Sequence, residues 1–314
     1  MKRIHGISPV PPMKWPVVTL GTFDGVHLGH QAVLDETVSW AHEQGGEAVV
    51  LTFATHPRAI TSGESARFIT SLKHRLLLME RRGIDAAFIL DFDRKLAAMP
   101  AEEFVQKYLV EAIGARGVVM GYNNRFGREG KGDADLLRTL GRDAGFEVRQ
   151  PGPVAVNGSP VSSTAIRQAI CTGDLQLAQR MLGRRVSVLG TVISGEGRGR
   201  KLGFPTANLD LHHEAHPPAG LYAGQTTLEG RRWHALVSIG NQPTFHAPAA
   251  PVIVEVYIVD YSGNLYGQEM EVHFLARLRD QLQFDSADEL IAQMNADVEE
   301  ARKIPLDPPS RWST

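Results

Sequence analysis

Along the first half of the chain, short apolar runs alternate with segments of helical period. Val17–Leu20, Ala48–Phe53, Ala86–Leu90 and Gly117–Met120 are largely apolar runs of strand length, the pattern of strands buried on both faces. Between them Val33, Leu34, Thr37, Val38 and Ala41 recur at helical spacing. So do Phe104, Val105, Tyr108, Leu109, Ala112 and Ile113, which follow the helix-start signal Met99-Pro100-Ala101-Glu102-Glu103. Strands alternating with amphipathic helices predict an α/β, doubly wound parallel sheet with ligands at the carboxyl ends of its strands.

The texture changes after Leu182-Gly183-Arg184-Arg185. Residues 185–280 are rich in glycine, proline and β-branched runs, including RVSVLGTVI, GLYAGQTTLEGRRWHALVSIG and PVIVEVYIVDYSGNLYGQEMEVHFL. Strand-length runs separated by turn pairs such as Glu229-Gly230 and Ser262-Gly263 predict an antiparallel β-barrel. A terminal amphipathic helix follows, with Leu290, Ile291, Met294, Val298 and Ala301 on one face. The expected division is residues 1–183 and 184–314. Internal repeats and low-complexity tracts are absent from the sequence.

Composition narrows the class. A length of 314 residues suits about two domains, and 43% hydrophobic with 22% charged residues is an ordinary globular balance. A net charge of -2 provides no bulk basic footprint, which argues against nucleic acid as partner and for small-molecule substrates. Cys171 is the only cysteine, so no internal disulfide framework and no all-cysteine zinc site can form. No apolar run has the length of a signal peptide core or a membrane span. The expectation is a soluble cytoplasmic protein without a membrane partner, and its near-neutral charge is compatible with a monomer or a homo-oligomer.

The first concentration of chemistry is GTFDGVHLGH, residues 21–30, directly after the first predicted strand. A helix starting near Leu28 would put His27 and His30 at its N-terminus, three residues apart and able to point the same way. Free N–H groups and the positive dipole end suit a polyphosphate, and Gly21, Gly25 and Gly29 let such a ligand approach the backbone closely. The histidines would then donate to phosphate oxygens as charge builds at phosphorus. The plain alternative is a pair that caps or packs the helix. Zinc would need a third ligand such as His56, and the glycine spacing does not resemble a metal site.

The second is GTVISGEGRGRKLGFPTANLDL, residues 190–211. It is not a Walker loop, because Lys201 precedes Leu202 rather than serine or threonine. Pro205 stiffens the chain where Thr206 and Asn208 offer oxygen ligands two residues apart, a partial set suited to Mg²⁺ that is shared with substrate phosphates. Glu255 interrupts VIVEVYIVD, where alternation puts Val252, Val254, Val256 and Ile258 on one face and Ile253, Glu255, Tyr257 and Val259 on the other. It reads either as a functional carboxylate or as a residue of an edge strand facing water. His212, His213 and His216 lack an acidic or cysteine partner and read as solvated loop residues.

The motif TLGTFDGVHLGHQAVL closely resembles the HxGH nucleotidyltransferase motif, in the form found in bacterial bifunctional riboflavin kinase/FAD synthetases. LTFATHPR at 51–58, GYNNRFGREGKGDADLLR at 121–138 and VSSTAIRQAI at 161–170 agree in order, and GRGRKLGFPTANL resembles the riboflavin kinase motif. SIGNQPTF, LYG and RLRDQLQF match as well, with Ser238 in place of the commoner asparagine, so the likeness spans roughly residues 15–303. It implies a Rossmann-like HxGH domain followed by a riboflavin kinase barrel with a terminal helix. The implied activities are ATP-dependent phosphorylation of riboflavin to FMN, then adenylylation of FMN to FAD with release of pyrophosphate.

By that resemblance His27 and His30 act on the ATP phosphates, with Gly21, Phe23, Asp24 and Gly29 in the same nucleotide site. Ser163, Thr164 and Arg167 would be a late phosphate-binding motif at a helix start, where simple capping is the alternative, most clearly for Ser162. Asn123 and Phe126 would help form the flavin pocket. Asn124 stands where the family usually has an aromatic residue, and Ala54-Thr55 also depart from its pattern, both on the flavin side. In the second half Thr206 and Asn208 would position Mg²⁺ with ATP under the loop from Gly195 to Gly203. Arg198 or Arg200 would neutralise phosphate, and Glu255 would be the general base. Rival readings are a nucleotidyltransferase with another phosphorylated acceptor, which leaves GFPTANL idle, and a flavin- or RNA-binding barrel, which leaves Thr206, Asn208 and Glu255 idle.

Overall fold

The computed structural model describes residues 1–7, 12–55, 67–195, 199, 202–212, 214–241 and 252–308. By its internal contacts the chain divides into two compact units, residues 1–68 with 72–163 and residues 69–71 with 164–314.

In the first unit the apolar runs form strands. Its sheet comprises β1 (Lys2–His5), β2 (Val17–Leu20), β3 (Ala48–Phe53), β4 (Ala86–Leu90), β5 (Gly117–Val119) and β6 (Glu147–Arg149). They pair in parallel in the order β1-β4-β3-β2-β5-β6. Strand order reverses between β2 and β5, so the carboxyl ends of these two strands flank the switch point of a doubly wound sheet. The helices are α1 (Leu28–Glu43), α2 (Leu72–Glu80), α3 (Arg94–Ala97), α4 (Ala101–Phe104) and α5 (Ala134–Ala144). α4 continues as π-helical turns over Val105–Ile113. A small hairpin, β7 (Ala155–Val156) and β8 (Ser159–Pro160), lies near the end of this unit, whose last residue, Ser163, opens α6, Ser163–Thr172. Val18, Leu20, Val49, Leu51 and Phe88 join Phe104, Leu109 and Phe126 in one core. The edge strands β1 and β6 were not expected. Their sequences, KRIH and EVR, are polar because an edge strand is paired on one side only and half exposed.

The second unit is a closed antiparallel barrel preceded by the rest of α6 and by α7, Leu175–Leu182. Its strands are β9 (Ser187–Ile193), β10 (Thr206–Asp210), β11 (Gly220–Leu228), β12 (Arg231–Asn241), β13 (Val252–Ile258) and β14 (Glu269–Arg279). They close in the order β10-β13-β12-β11-β14-β9. α8 (Ala287–Lys303) lays Ile291, Met294, Val298 and Ala301 against Leu236, Tyr257 and Leu275. Buried Asp297 ties that helix to β14 through a two-toothed pair with Arg279, with contacts of 2.7–3.1 Å. Glu229-Gly230 makes the two-residue turn between β11 and β12, both residues at positive φ (53° and 74°). Ser262-Gly263 does not make a comparable turn. It lies inside a longer connection from β13 to β14, in which Asp260 and Gly267 take the left-handed positions.

Candidate active sites

The chain leaves β2 at the switch point and reaches α1 through a strained turn. Phe23, Gly25 and Val26 have φ of 53°, 81° and 40°. A non-glycine residue there costs on the order of 1–3 kcal/mol, and a β-branched valine is the least tolerant. The strain therefore has to be held by surrounding contacts. Val26 N–H donates to the Phe23 carbonyl at 3.0 Å, and Ser163 Oγ donates to the Asp24 carbonyl at 2.9 Å. Phe23 and Asp24 are both buried.

His27 is the N-cap of α1, and its Nδ1 accepts from the His30 backbone N–H at 3.3 Å. An accepting Nδ1 leaves the proton of the neutral ring on Nε2. The two imidazoles stack, with centroids 3.6 Å apart and planes 18° from parallel. Phe23 meets the His30 ring edge-on at 5.3 Å. Gly29 makes the stack feasible, because a Cβ there would sit 3.3 Å from His27 Cε1 and Nδ1. Burial first, then the neighbouring His27 and Arg75, hold the His30 imidazole well below its ordinary value, so it is neutral at pH 7. Its Nδ1 is buried with no hydrogen-bond partner among the described residues. A stacked histidine pair with His30 neutral, at a helix N-terminus and next to a buried cation, suits an anion that brings its own negative charge.

The other residues expected near this site fall into distinct places. Gly21 follows β2 and donates its N–H to the Leu51 carbonyl at 3.0 Å. Asn123 is exposed on the loop after β5, the second strand of the switch point. Phe126 is only 7% exposed and packs on Phe104 with ring centroids 5.6 Å apart. Thr164 and Arg167 lie on the first turns of α6, Thr164 exposed and Arg167 half-buried. Asn124, the departure from the family pattern, donates from Nδ2 to the Leu20 carbonyl at 2.7 Å. Sequence reasoning missed Arg75 on α2, whose guanidinium donates to the Thr22 and Phe53 carbonyls at 2.7 and 3.1 Å. The one available signal was an arginine among LKHRLLLME, too common to stand out.

In the barrel the register does the assembling. Glu255 lies directly opposite Asn208 on β10 and opposite Ser238 on β12. Such cross-strand pairs bring Cβ atoms to about 5 Å. β13 is paired on both sides, so the edge-strand alternative for Glu255 does not hold. Glu255, Asn208 and Ser238 are all half-buried and share one face, with Val254 and Val256 buried on the other. Thr206 lies two residues from Asn208 on the same face of β10, opposite Tyr257. Gly195 covers Asn208 so closely that a Cβ would run into the Asn208 amide nitrogen. Gly203 takes a φ of 85° in the turn before β10. Ser238 is a further member that the sequence marked only as an unusual residue.

Arg198, Arg200, His56 and His213 lie outside the described residues. His212 and His216 are half-buried rather than solvated; His212 Nε2 meets Thr191 Oγ1 at 3.1 Å and His216 Nδ1 meets the Pro217 carbonyl at 2.9 Å. Among the described residues no group of three or more His, Cys, Asp or Glu could hold a metal ion.

Known proteins carry the same two units in the same order. The FAD synthetase family matches residues 13–165 and the riboflavin kinase family matches residues 182–305. The chain belongs to the bifunctional riboflavin kinase/FMN adenylyltransferase family. A relative of that name from Haemophilus influenzae is 34% identical over 287 residues, 91% of this chain and 92% of that one. The Pseudomonas fluorescens relative is 34% identical over 97% of this chain and 98% of its own length, and that of Escherichia coli K12 32% over 97% of each. A crystal structure of a Streptococcus pneumoniae protein described as a macrolide-efflux protein has a TM-score of 0.82 at 32% identity, covering 97% of this chain and 100% of that one. Among the described residues no helix is long and apolar enough to cross a membrane.

Proposed function

We propose a division of labour for the two activities that family membership carries, with FMN adenylylation in residues 1–183 and riboflavin phosphorylation in residues 184–314. The observation that carries the first assignment is the His27–His30 stack at the N-terminus of α1, beside the switch point of the sheet. His27 and His30 donate to the ATP phosphates while an FMN phosphate oxygen attacks the α-phosphorus and pyrophosphate departs. No protein nucleophile is needed. Gly21, Phe23, Asp24 and Gly29 shape the nucleotide side. Ser163, whose hydroxyl is taken up by the Asp24 carbonyl, offers its backbone N–H to the phosphates. Asn123 and Phe126 form the flavin side, Phe126 as its apolar floor.

The register row Ser238–Glu255–Asn208 supports the second assignment. Glu255 accepts the proton of the terminal ribityl hydroxyl as that oxygen attacks the γ-phosphorus of ATP, giving FMN and ADP. Thr206 and Asn208 offer neutral oxygens next to one carboxylate, a donor set that fits a hydrated Mg²⁺ completed by ATP phosphates. When bound, that ion neutralises phosphate charge. Gly195, Arg198 and Gly203 belong to the loop that covers the nucleotide. The single cysteine fits a reducing cytoplasm, where we place the reaction, and the lack of bulk basic charge and of a membrane-length apolar run argues against a nucleic-acid or membrane partner.

Incubation with riboflavin, Mg²⁺ and ATP followed by chromatography tests the scheme. FMN and FAD should both appear. His30→Ala should stop at FMN, and Glu255→Ala should adenylylate supplied FMN while forming little from riboflavin. If both variants lost the same step, the two-site assignment would fail.

A further inference from the structure

The strained turn after β2 is held in an unusual way. Its alternate carbonyls, those of Leu20, Thr22, Asp24 and Val26, each accept from a different side chain. The donors are Asn124 Nδ2 at 2.7 Å, Arg75 Nη1 at 2.7 Å, Ser163 Oγ at 2.9 Å and Gln31 Nε2 at 2.9 Å. They come from the loop after β5, from α2, from the start of α6 and from the adjoining α1, so three distant parts of the chain and the helix that follows converge on one seven-residue stretch.

The donors are themselves fixed. Arg75 is fully buried, lies over the Phe68 ring at 4.6 Å, and spends its other terminal nitrogen on the Phe53 carbonyl at the end of β3. Gln31 is 4% exposed, and its Oε1 is held by Arg82, which pairs with Asp35 at 2.6 and 2.8 Å. Asn124 is braced through its Oδ1, which accepts from the Arg125 N–H at 3.0 Å. A turn with Phe23 and Val26 at positive φ relaxes unless its surroundings over-determine it. Relaxation would move the backbone that leads into His27, whose ring position depends on the cap geometry of α1.

We propose that Gln31, Arg75 and Asn124 are positioning residues for adenylyl transfer: by clasping alternate carbonyls of residues 20–26 they lock the turn that presents the stacked His27–His30 pair to the nucleotide phosphates. This rests on the reading of that pair as the phosphate-handling group. Arg75 also places a buried positive charge within electrostatic reach of His30. None of the three needs to touch the substrate.

The full chain tests this directly. Gln31→Leu keeps the volume but removes the donor to Val26. Gln31→Glu retains an acceptor for Arg82 and removes the same donor. Both should lower kcat for FMN adenylylation about 10- to 100-fold, because small displacements of reacting groups carry losses of that order, while riboflavin phosphorylation is unchanged. Both should also abolish the ring-current displacement of the His30 Cε1–H proton signal that stacking at 3.6 Å produces. Arg75→Met should behave alike, and Arg75→Lys, which keeps one donor, should recover most of the activity and of the displaced signal. If the Gln31 variants are not recovered folded, the Arg75→Lys and Asn124→Leu pair supplies the same comparison.

Adenylylation within twofold of the parent would overturn the proposal. So would lost activity with the His30 signal still displaced, because the residues would then act otherwise than through the pair. If His30→Ala itself keeps full adenylylation, the reading of the pair fails and takes the proposal with it. That failure is recognisable separately, since the clasp variants would still lose the displaced signal.

Discussion

The two sites are built by opposite means. In the first unit the reactive groups stand at the start of a helix, behind an irregular turn that would relax by itself and is held by the adjoining Gln31 and by side chains from three distant segments. In the barrel they stand on regular strands, and the ladder alone brings Glu255 between Asn208 and Ser238. A clasped turn can carry several backbone donors to one anion but depends on every clasp. A strand row tolerates loss of a neighbour, yet a one-residue slip would turn all its side chains to the other face.

The largest effects separate the chemistry of the two sites. Glu255→Gln should slow riboflavin phosphorylation about 10²- to 10⁴-fold while adenylylation of supplied FMN continues, as read from initial rates. His30→Ala should cost adenylylation about 10²- to 10³-fold with phosphorylation intact. Parallel losses in both assays would break the contrast between independent sites.

A smaller effect sharpens the difference in construction. Gly195→Ala pushes a methyl group into the Asn208 amide, and should raise KM for ATP in the kinase assay about tenfold without altering the register. The barrel's melting temperature should stay near that of the parent. A lowered melting temperature with unchanged KM would mean that the glycine serves packing only.

The smallest effect is a pH dependence. His30 is held below its ordinary value in the fold, so the unfolded chain binds its proton first as pH falls. The stability carried by the neutral ring is therefore complete above pH ~6.5 and is lost as pH drops towards the folded midpoint, at about 1.4 kcal/mol per pH unit. His30→Gln should flatten that slope in denaturant titrations, and an unchanged slope would remove His30 from the account. Bound ATP should move the His30 midpoint upward in an NMR titration, since nearby negative charge favours the imidazolium.

Much of this was legible in residue order. Apolar runs specified the central strands because strands buried on both faces admit few polar residues. Period-two alternation put Glu255 on the opposite face from Val254 and Val256, and GTFDGVHLGH placed two histidines at a helix start. Polar β1 and β6 left no such trace, because pairing with β4 and β5 makes them strands rather than their own composition.

What only the tertiary structure decided is who meets whom. Arg75 is an unremarkable residue on a helix until the fold aims it at the carbonyls of Thr22 and Phe53. Ser238 becomes a neighbour of Glu255 only through the ladder of β12 and β13. Residue type and local spacing determine which groups can do chemistry, because propensity and periodicity act over a few residues. Convergence of segments 53 to 139 residues apart depends on long-range packing, which leaves no local pattern to read.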